Sequence, residues 1–437
     1  MSETTIANET VVQSDQTTGG NAQPIAEKER IVSIDVLRGF ALLGILPMNI
    51  QYFSMISAAY SNPTAYGDLR AANYLVWLVC HVLADEKFMT IFSMLFGAGI
   101  VLMTSHVEAA GKRPAPLHYR RMAWLILFGL LHGFLLWSGD ILFSYGSCGL
   151  VAYLFRKMQP RRLLVAGLSI MSVASISLTA YGKASAHWSP TQLEQAREDL
   201  WMPTSEGVAQ ELAGYRGSWT QQMKFRVSDS LQADTSFFVF FTFWRVCGLM
   251  LIGMGLFKLG IFGARRALSL YWRMIAVAVF VGIPVILYGT YRDFAGGWDF
   301  RYSFFYGAQL NYWASVLVSL GWVGAVMLAC RSAALAHLTR RLAAVGRMAF
   351  SNYIMHTVIC TTLFYGHGFG LFGKVERVWQ FSIVLVIWAC QLIVSPIWLR
   401  YFWFGPLEWL WRSLTYWQRE PFRRDAAVGQ LVPSRTY

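Results

Sequence analysis

Apolar runs of membrane length recur along most of the chain, and short polar segments separate them. A run of about 20 apolar residues can cross the hydrocarbon core of a bilayer as a helix. The pattern therefore predicts an all-α, polytopic transmembrane helix bundle with about ten spanning helices, in a range of nine to eleven. The predicted spans are residues 34–54, 88–106, 120–138, 140–157, 162–181, 236–257, 271–291, 305–330, 347–366 and 377–399.

The polar segments divide the chain into three regions. Residues 1–30 are polar, lack the apolar centre of a cleavable signal peptide, and are predicted to be a disordered cytoplasmic arm. Residues 31–400 form the predicted bundle. Residues 401–437 are predicted to begin with an aromatic helix in the membrane interface and to end in a cytoplasmic tail.

Two segments of the bundle are predicted to lie on its outer side. The first, 55–87, contains an apolar patch, Tyr74–Val82, that is too short to span and is expected to form an interfacial or re-entrant helix. The second, 182–235, is polar with scattered tryptophans and could cover an external opening.

Basic residues set the predicted orientation. The net charge is +13, and the Lys and Arg residues concentrate in short loops, each of which carries four where it is assigned to the inside. This bias places both termini in the cytoplasm. The distribution argues against a nucleic-acid partner and for the lipid bilayer as the main one, while a homo-oligomer stays open.

Six cysteines lie singly, nearly all in apolar runs, and show neither a C-x-x-C pair nor the spacing of a zinc site. We therefore expect no metal centre. They are Cys80, Cys148, Cys247, Cys330, Cys360 and Cys390.

The first apolar run, Ser33–Phe53, carries polar groups that a simple anchor does not need. Asp35 and Arg38 are spaced so that their side chains can pair on a helix. Asn49 lies on nearly the same face as Arg38, about 16 Å further along the axis. Pro47 is expected to kink the helix just before Asn49. Polar groups at membrane depth usually face a protein interior or a water-filled pathway.

Polar residues on four helices are predicted at a similar depth in the outer half of the membrane. If their faces converge, they form a chamber that opens outward, while Asp35 and Arg38 lie at the inner end. The set consists of Asn49, Asp85, Lys87, His132, Asp140 and Arg245.

Each of these residues also has a structural interpretation. His132 could be a packing residue held by hydrogen bonds, and Arg245 could form an ion pair with Asp85 or Asp140. Asn49 could make an interhelical hydrogen bond.

At the inner end, Asp35 could be a helix cap and Arg38 a snorkelling anchor. His356, predicted near mid-membrane, is the weaker functional candidate of the two intramembrane histidines.

A histidine among such groups can transfer protons with the help of charge stabilisation. Imidazole can take a proton from a hydroxyl or an amine, a carboxylate can orient it, and an amide or Arg can stabilise an oxyanion. The chain has no G-x-S-x-G, H-E-x-x-H or G-x-x-x-x-G-K-[ST] motif. Serine-hydrolase, zinc-protease and P-loop functions therefore lack support.

Six stretches of the chain resemble a known bacterial family, the YeiB-like family. They are R-I-V-S-I-D-V-L-R-G-F-A-L-L-G-I-L-P-M-N-I, K-F-M-T-I-F-S-M-L-F-G-A-G, G-L-L-H-G-F-L-L-W-S-G-D-I-L-F-S-Y-G, F-W-R-V-C-G-L-M-L-I-G-M-G-L-F-K-L-G, G-R-M-A-F-S-N-Y-I-M-H-T and F-G-P-L-E-W-L-W-R-S-L-T-Y. They are distributed along almost the whole chain beyond residue 30. The resemblance implies a multi-pass protein of the bacterial inner membrane.

The first stretch is also similar to helix one of transmembrane acyltransferases such as heparan-α-glucosaminide N-acetyltransferase. The shared element is S-x-D-x-x-R-G, here Ser33, Asp35, Arg38 and Gly39. This resemblance implies transfer of an acyl group from cytoplasmic acyl-CoA to an acceptor, a sugar or a lipid, at or beyond the outer face.

Catalytic residues carry over only in part. Asn49 matches an Asn late in helix one that acts in catalysis in the heparan acetyltransferase. The His that follows that Asn has no counterpart here at comparable spacing, so His132, or else Asp85, must take its role. His356 stands where relatives are expected to have Gln.

The leading hypothesis is therefore an acyl-CoA-dependent membrane acyltransferase, with Asp85 or Asp140 orienting the base His132. The predicted catalytic residues are His132, Asp85 and Asn49. The predicted substrate-binding residues are Asp35, Arg38, Lys87, Asp140 and Arg245. A transporter of small molecules or lipids and a non-catalytic membrane assembly protein are the alternatives.

Overall fold

A computed structural model describes residues 31–424, which are almost entirely helical. The predicted arm at 1–30 and residues 425–437 of the predicted tail lie outside the described residues. The predicted all-α polytopic class is confirmed. The helices are α1 (Val32–Ser54), α2 (Ala58–Ser61), α3 (Ala71–Leu83), α4 (Lys87–Ala109), α5 (Pro114–Leu135), α6 (Leu142–Ala152), α7 (Pro160–Ala184), α8 (Pro190–Leu200), α9 (Ser205–Arg216), α10 (Trp219–Gln232), α11 (Phe243–Lys258), α12 (Leu268–Val277), α13 (Ile283–Ala295), α14 (Phe300–Tyr302), α15 (Ala308–Ala329), α16 (Ala336–Arg347), α17 (Ala349–Phe364), α18 (Arg377–Tyr401) and α19 (Pro406–Tyr416).

Seven helical rods within residues 31–424 are long and apolar enough to cross a membrane. Short π-helical stretches join α10 to α11, α12 to α13 and α14 to α15, so these pairs form continuous rods. The seven rods are Val32–Ser54, Ala71–Ala109, Pro160–His187, Trp219–Lys258, Leu268–Ala295, Phe300–Ala329 and Arg377–Tyr401. The other predicted spans coincide with α5, α6 and α17, which are shorter or less apolar.

The apolar patch Tyr74–Val82 lies in α3, and α3 continues into α4 within one rod. A short break separates the two helices, and there Glu86 adopts a left-handed backbone with φ of 63°. The Lys87 Nζ donates to the carbonyl of His81 at 2.7 Å, and so satisfies an acceptor that the end of α3 leaves unpaired. Polar residues at this break interrupt the apolar pattern, which is why the sequence did not indicate one rod.

Helix α1 is the most buried of the seven rods and stays helical through Pro47. It crosses α16 at two glycines. A Cβ on Gly39 would collide with the carbonyl of Leu342, and a Cβ on Gly346 would collide with the carbonyl of Asp35. Only glycine permits backbones this close, and the contact fixes the start of α1 against the end of α16.

Three segments close one end of the bundle, and we call them the cap. The cap consists of residues 55–70, 188–218 and 365–376. Hydrogen bonds join its segments at Ser57 to Glu211, Gly366 to Tyr215 and Arg216 to Phe372. Beneath it, Trp137 stacks on Phe53 with ring centroids 3.9 Å apart. This is the capped end. The opposite end, which we call the basic end, is the one predicted to face the cytoplasm.

Glu211 in the cap gives a prediction about pH and stability. Its Oε1 accepts the backbone N–H of Ser57 at 2.8 Å, and burial raises the pKa of Glu211 from 4.5 to about 7. Between these values the folded state holds a proton that the unfolded state has released, so stability falls as pH rises through that window. We expect Glu211→Gln to raise the melting temperature by about 1–3 °C at pH 8 and to leave it unchanged at pH 5.

Differential scanning fluorimetry in detergent measures both values. Glu206→Gln is the matched control, because Glu206 lies exposed on the same helix and should show no difference at either pH. Equal melting temperatures for wild type and Glu211→Gln at pH 8 would contradict a protonated Glu211 in the folded cap.

Candidate functional site

A cavity of about 230 Å³ enters the bundle from the basic end. Its deep walls are apolar and come from α1, α4, α5, α6 and α17, with side chains such as Leu42, Ile45, Phe92 and Leu95. Basic side chains line the mouth, and these are Arg38, Arg121, Arg347 and Arg412. The cavity thus has a cationic entrance and an apolar interior, which suits an amphipathic anion.

Helix α19 lines this cavity on the side of its mouth. Two side chains of α19 hold the helix in place. The Glu408 Oε1 accepts the backbone N–H groups of Phe350 at 2.6 Å and Ser351 at 3.1 Å. Burial raises the pKa of Glu408, and its hydrogen bonds oppose that rise. The Trp411 Nε1 donates to the carbonyl of Arg121 at 3.1 Å, and its ring lies 4.3 Å from the Arg121 guanidinium. The aromatic tail helix is therefore part of the site.

Asp35 and Arg38 form an ion pair at 2.8 Å, as their spacing predicted. Asp35 is buried at the start of α1, whereas the Arg38 side chain is 31% exposed and lines the cavity mouth. The carboxylate therefore orients Arg38 without covering it. Arg38 thus presents its guanidinium to the cavity.

We call the end of the cavity opposite its mouth the ceiling. His132 contacts two residues beyond it. Its Nδ1 lies 2.7 Å from the Asp140 Oδ1, and its Nε2 lies 2.9 Å from the Thr357 Oγ1. The Asp140 Oδ2 accepts the backbone N–H of Phe143 at 2.8 Å, which starts α6 and fixes the carboxylate. His132, Asp140 and Thr357 are all buried. Hydroxyl, imidazole and carboxylate thus stand in the order of a nucleophile, a base and an orienting group.

Tyr353 connects this triad to the cavity. It lines the cavity ceiling, and its ring centroid lies 5.3 Å from that of His132. Its hydroxyl contacts the carbonyl of Gly139 at 3.4 Å, which is long for an O–H···O hydrogen bond. Tyr353 therefore lies between the triad and the cavity, and it is buried.

Asn49 lies on the cavity-facing stripe of α1. Arg38, Leu42 and Ile45 line the cavity at i, i+4 and i+7, and Asn49 at i+11 is the next position on that face. Within residues 31–424, the Asn49 side chain makes no hydrogen bond that would make it an interhelical link. Asn49 itself does not line the cavity.

Asp85 and Lys87 belong to a second cluster at the break between α3 and α4. The Asp85 Oδ2 lies 3.1 Å from the His81 Nδ1 and accepts from the Asn311 Nδ2 at 2.9 Å. The Lys87 Nζ donates to the Asn311 Oδ1 at 2.6 Å. The structure therefore brings Asp140, and not Asp85, to His132.

Arg245 completes this second cluster and is fully buried. Its NH2 lies 3.2 Å from the Glu86 Oε2 and donates to the Ser315 Oγ at 2.9 Å, while its NH1 donates to the carbonyl of Tyr312 at 3.0 Å. The partner is Glu86, a residue that the sequence did not single out. None of these charged side chains lines the cavity, and their contacts with one another favour a structural role.

Thr357 is the main site residue that sequence reasoning missed. It lies 225 residues from His132 in the chain, and one hydroxyl in an apolar helix gives no distinct signal. The available hint was its place beside His356 in S-N-Y-I-M-H-T. His356 itself bonds through Nε2 to the Gln391 Oε1 at 2.8 Å, away from the triad. Across residues 31–424, no three His, Cys, Asp or Glu side chains converge in a way that could hold a metal ion.

Comparisons with known proteins give one consistent family. Residues 256–418 match the family described as "Protein of unknown function (DUF418)". The chain is 31% identical to the uncharacterized protein YxaH of Bacillus subtilis (strain 168), over 93% of this chain and 99% of the relative. It is also 31% identical to the uncharacterized protein YeiB of Escherichia coli (strain K12), over 89% and 96%. An uncharacterized 39.9 kDa protein of Bacillus acidopullulyticus is 28% identical over 91% and 97%. No solved structure matches.

Proposed function

The chain belongs to the YeiB-like family of multi-pass membrane proteins, and we propose that it is an acyltransferase. It takes an acyl group from acyl-CoA at the basic end and passes it to a sugar or lipid acceptor at or beyond the capped end. The basic end then faces the cytoplasm of a bacterium, and the membrane is the inner one. The observation that carries the proposal is the amphipathic cavity, which reaches Tyr353, the residue whose ring contacts His132 of the triad.

The donor would bind with its phosphates at the cavity mouth. Arg38 and Arg121 present guanidinium groups there, and guanidinium binds phosphate through charge-assisted, often bidentate hydrogen bonds. The apolar interior suits the pantetheine arm and the acyl chain. Bound in this way, the thioester lies toward the ceiling, next to Tyr353.

His132 would act as the general base, with Asp140 holding its ring and stabilising the imidazolium that forms. Asn49 would stabilise the oxyanion, because its amide continues the cavity-facing stripe of α1. Asp35 supports Arg38 in donor binding. Asp85, Lys87 and Arg245 are left out of this mechanism, since they lie together in the separate cluster.

Binding of radiolabelled acetyl-CoA to the protein in nanodiscs tests the donor site. Charge-assisted hydrogen bonds contribute about 1.5–3 kcal/mol each. We therefore expect Arg38→Ala and Arg121→Ala each to raise the Kd at least about tenfold. Consumption of acetyl-CoA and octanoyl-CoA, followed as release of the free thiol, tests the reaction itself.

Arg340→Ala is the matched control for these variants. Arg340 lies exposed on α16, away from the cavity, and its loss should leave the Kd unchanged. Equal affinity for acetyl-CoA in all variants that keep the wild-type melting temperature would show that the donor does not bind in the cavity. Absence of both binding and thiol release in the wild type would overturn the acyltransferase proposal.

A transporter of an anionic amphipath is the second candidate, because the cavity is open at the basic end and the cap covers the other end. In that case the same cavity holds cargo rather than a donor. Counterflow of a labelled anionic lipid in proteoliposomes, without consumption of acyl-CoA, would favour this function over acyl transfer.

A further inference from the structure

The contact between Thr357 and His132 limits how a proton can reach the base. The Asp140 carboxylate accepts through both oxygens, from the His132 Nδ1 and from the Phe143 N–H. The Nδ1 therefore carries the ring proton, and the Nε2 lone pair accepts the hydroxyl proton of Thr357 at 2.9 Å. The proton-accepting atom of His132 is thus already occupied by a hydroxyl of the protein.

Thr357 lies on the face of α17 that continues the cavity wall. Phe350 and Tyr353 line the cavity, and Thr357 follows them at i+7 and i+4, about 6 Å beyond Tyr353 along the axis. Its side chain is buried, with 1% of the residue exposed. Tyr353 lies between the two, so a rotation of its ring would connect the thioester position to Thr357.

We propose that Thr357 is the nucleophile of the transfer and carries the acyl group as an ester between the two half-reactions. This rests on the acyltransferase function proposed above and specifies its mechanism. In Thr357, His132 and Asp140 the nucleophile, base and orienting group are each within hydrogen-bond reach of the next.

The first half-reaction starts with the hydroxyl. The Thr357 Oγ attacks the thioester carbonyl carbon, and its proton passes to the His132 Nε2. The C–S bond breaks, and the leaving thiolate takes that proton from the imidazolium to become free CoA thiol. Asp140 stabilises the imidazolium while it exists.

The second half-reaction reverses these roles. The acceptor hydroxyl or amine attacks the ester carbonyl and gives its proton to the His132 Nε2. The bond between the acyl carbon and the Thr357 Oγ breaks, and the Thr357 Oγ takes the proton back. Because the acyl group stays on the protein, the donor can leave through the basic end before the acceptor arrives from the capped end.

Intact-protein and peptide mass spectrometry after incubation with acetyl-CoA tests the ester. The protein is kept in nanodiscs and quenched at low pH before digestion. We expect an acetyl mass increase on the peptide that contains Thr357, which disappears in Thr357→Val and persists in Thr357→Ser. Thiol release should fall by at least about 100-fold in Thr357→Val and by less than tenfold in Thr357→Ser.

Thr361→Val is the matched control for the loss of a hydroxyl. Thr361 lies one turn further on α17, is buried, and bonds only to the carbonyl of Val358 at 3.4 Å. Its variant should keep both the adduct and the rate. Melting temperature and acetyl-CoA affinity show that each variant is folded and still binds donor.

Two results would overturn the covalent step. Thr357→Val that releases thiol at the wild-type rate, with no adduct on wild type, would leave Thr357 as a hydrogen-bond partner of His132 only. An adduct that persists in Thr357→Val and is released by neutral hydroxylamine would place the acyl group on the imidazole. Both results are compatible with the acyltransferase function. A wild-type protein that neither binds nor consumes the thioester would contradict both the acyltransferase function and the ester on Thr357.

Discussion

His132→Ala is expected to lower acyl-CoA-dependent activity by about 10²–10⁴-fold while acetyl-CoA still binds. The imidazole contacts both a carboxylate, at 2.7 Å, and the candidate nucleophile, at 2.9 Å. Its removal deprives the Thr357 hydroxyl of its proton acceptor. The arginines proposed to bind the donor lie at the cavity mouth, away from His132. Thiol release under saturating donor, together with the Kd, separates the two steps.

Asp140→Asn should produce a loss of about 10²-fold or more for a different reason. An amide at this position can offer an N–H to the His132 Nδ1, which favours the tautomer with its proton on Nε2. The base would then present a hydrogen to Thr357 instead of a lone pair. For Asp140→Asn we expect a Kd for acetyl-CoA near the wild-type value together with a low rate of thiol release.

His356→Gln is the matched control for the loss of a buried histidine. His356 precedes Thr357 on α17 and bonds to Gln391 at 2.8 Å, and a Gln side chain can keep that hydrogen bond. We expect less than a threefold change in rate. Full activity in His132→Ala together with a loss of activity in His356→Gln would identify His356 on α17, and not His132 on α5, as the base.

Local spacing indicated two contacts of this site, although the sequence left Asp85 and Asp140 as alternative partners of His132. Asp140 follows His132 by eight residues around a tight turn, and Asp35 precedes Arg38 by one helical turn. The period of 3.6 residues was enough to place Asn49 on the face of Arg38. In each case both partners lie within one helix or one hairpin.

The long-range part could not be predicted from spacing. Thr357 reaches His132 only because α17 packs beside α5, and Glu86 reaches Arg245 only because the rod breaks between α3 and α4. Depth in the membrane was a poor guide, since it grouped Asp85, His132 and Arg245 into one chamber. The packing of helices decides which residues at one depth meet, and a single sequence contains little information about it.

Arg245→Met is expected to destabilise the fold by about 3–5 kcal/mol and to lower the melting temperature well below that of the wild type. The guanidinium is fully buried and binds Glu86, Ser315 and the carbonyl of Tyr312. Its removal leaves the Glu86 carboxylate without the arginine that pairs with it. Arg273→Met is the control, because Arg273 lies exposed on α12 and its loss should have little effect.

The double variant Arg245→Met/Glu86→Gln distinguishes a structural ion pair from a substrate-binding arginine. If the pair is structural, neutralising Glu86 removes the uncompensated charge, and the double variant should recover part of the stability that Arg245→Met lost. A double-mutant cycle on melting temperatures or on unfolding in detergent gives that coupling. A substrate-binding Arg245 predicts the opposite pattern, in which the single variant keeps its stability and loses activity that Glu86→Gln does not restore. That outcome would make Arg245 a substrate-binding residue. The contacts of the second cluster favour the structural ion pair.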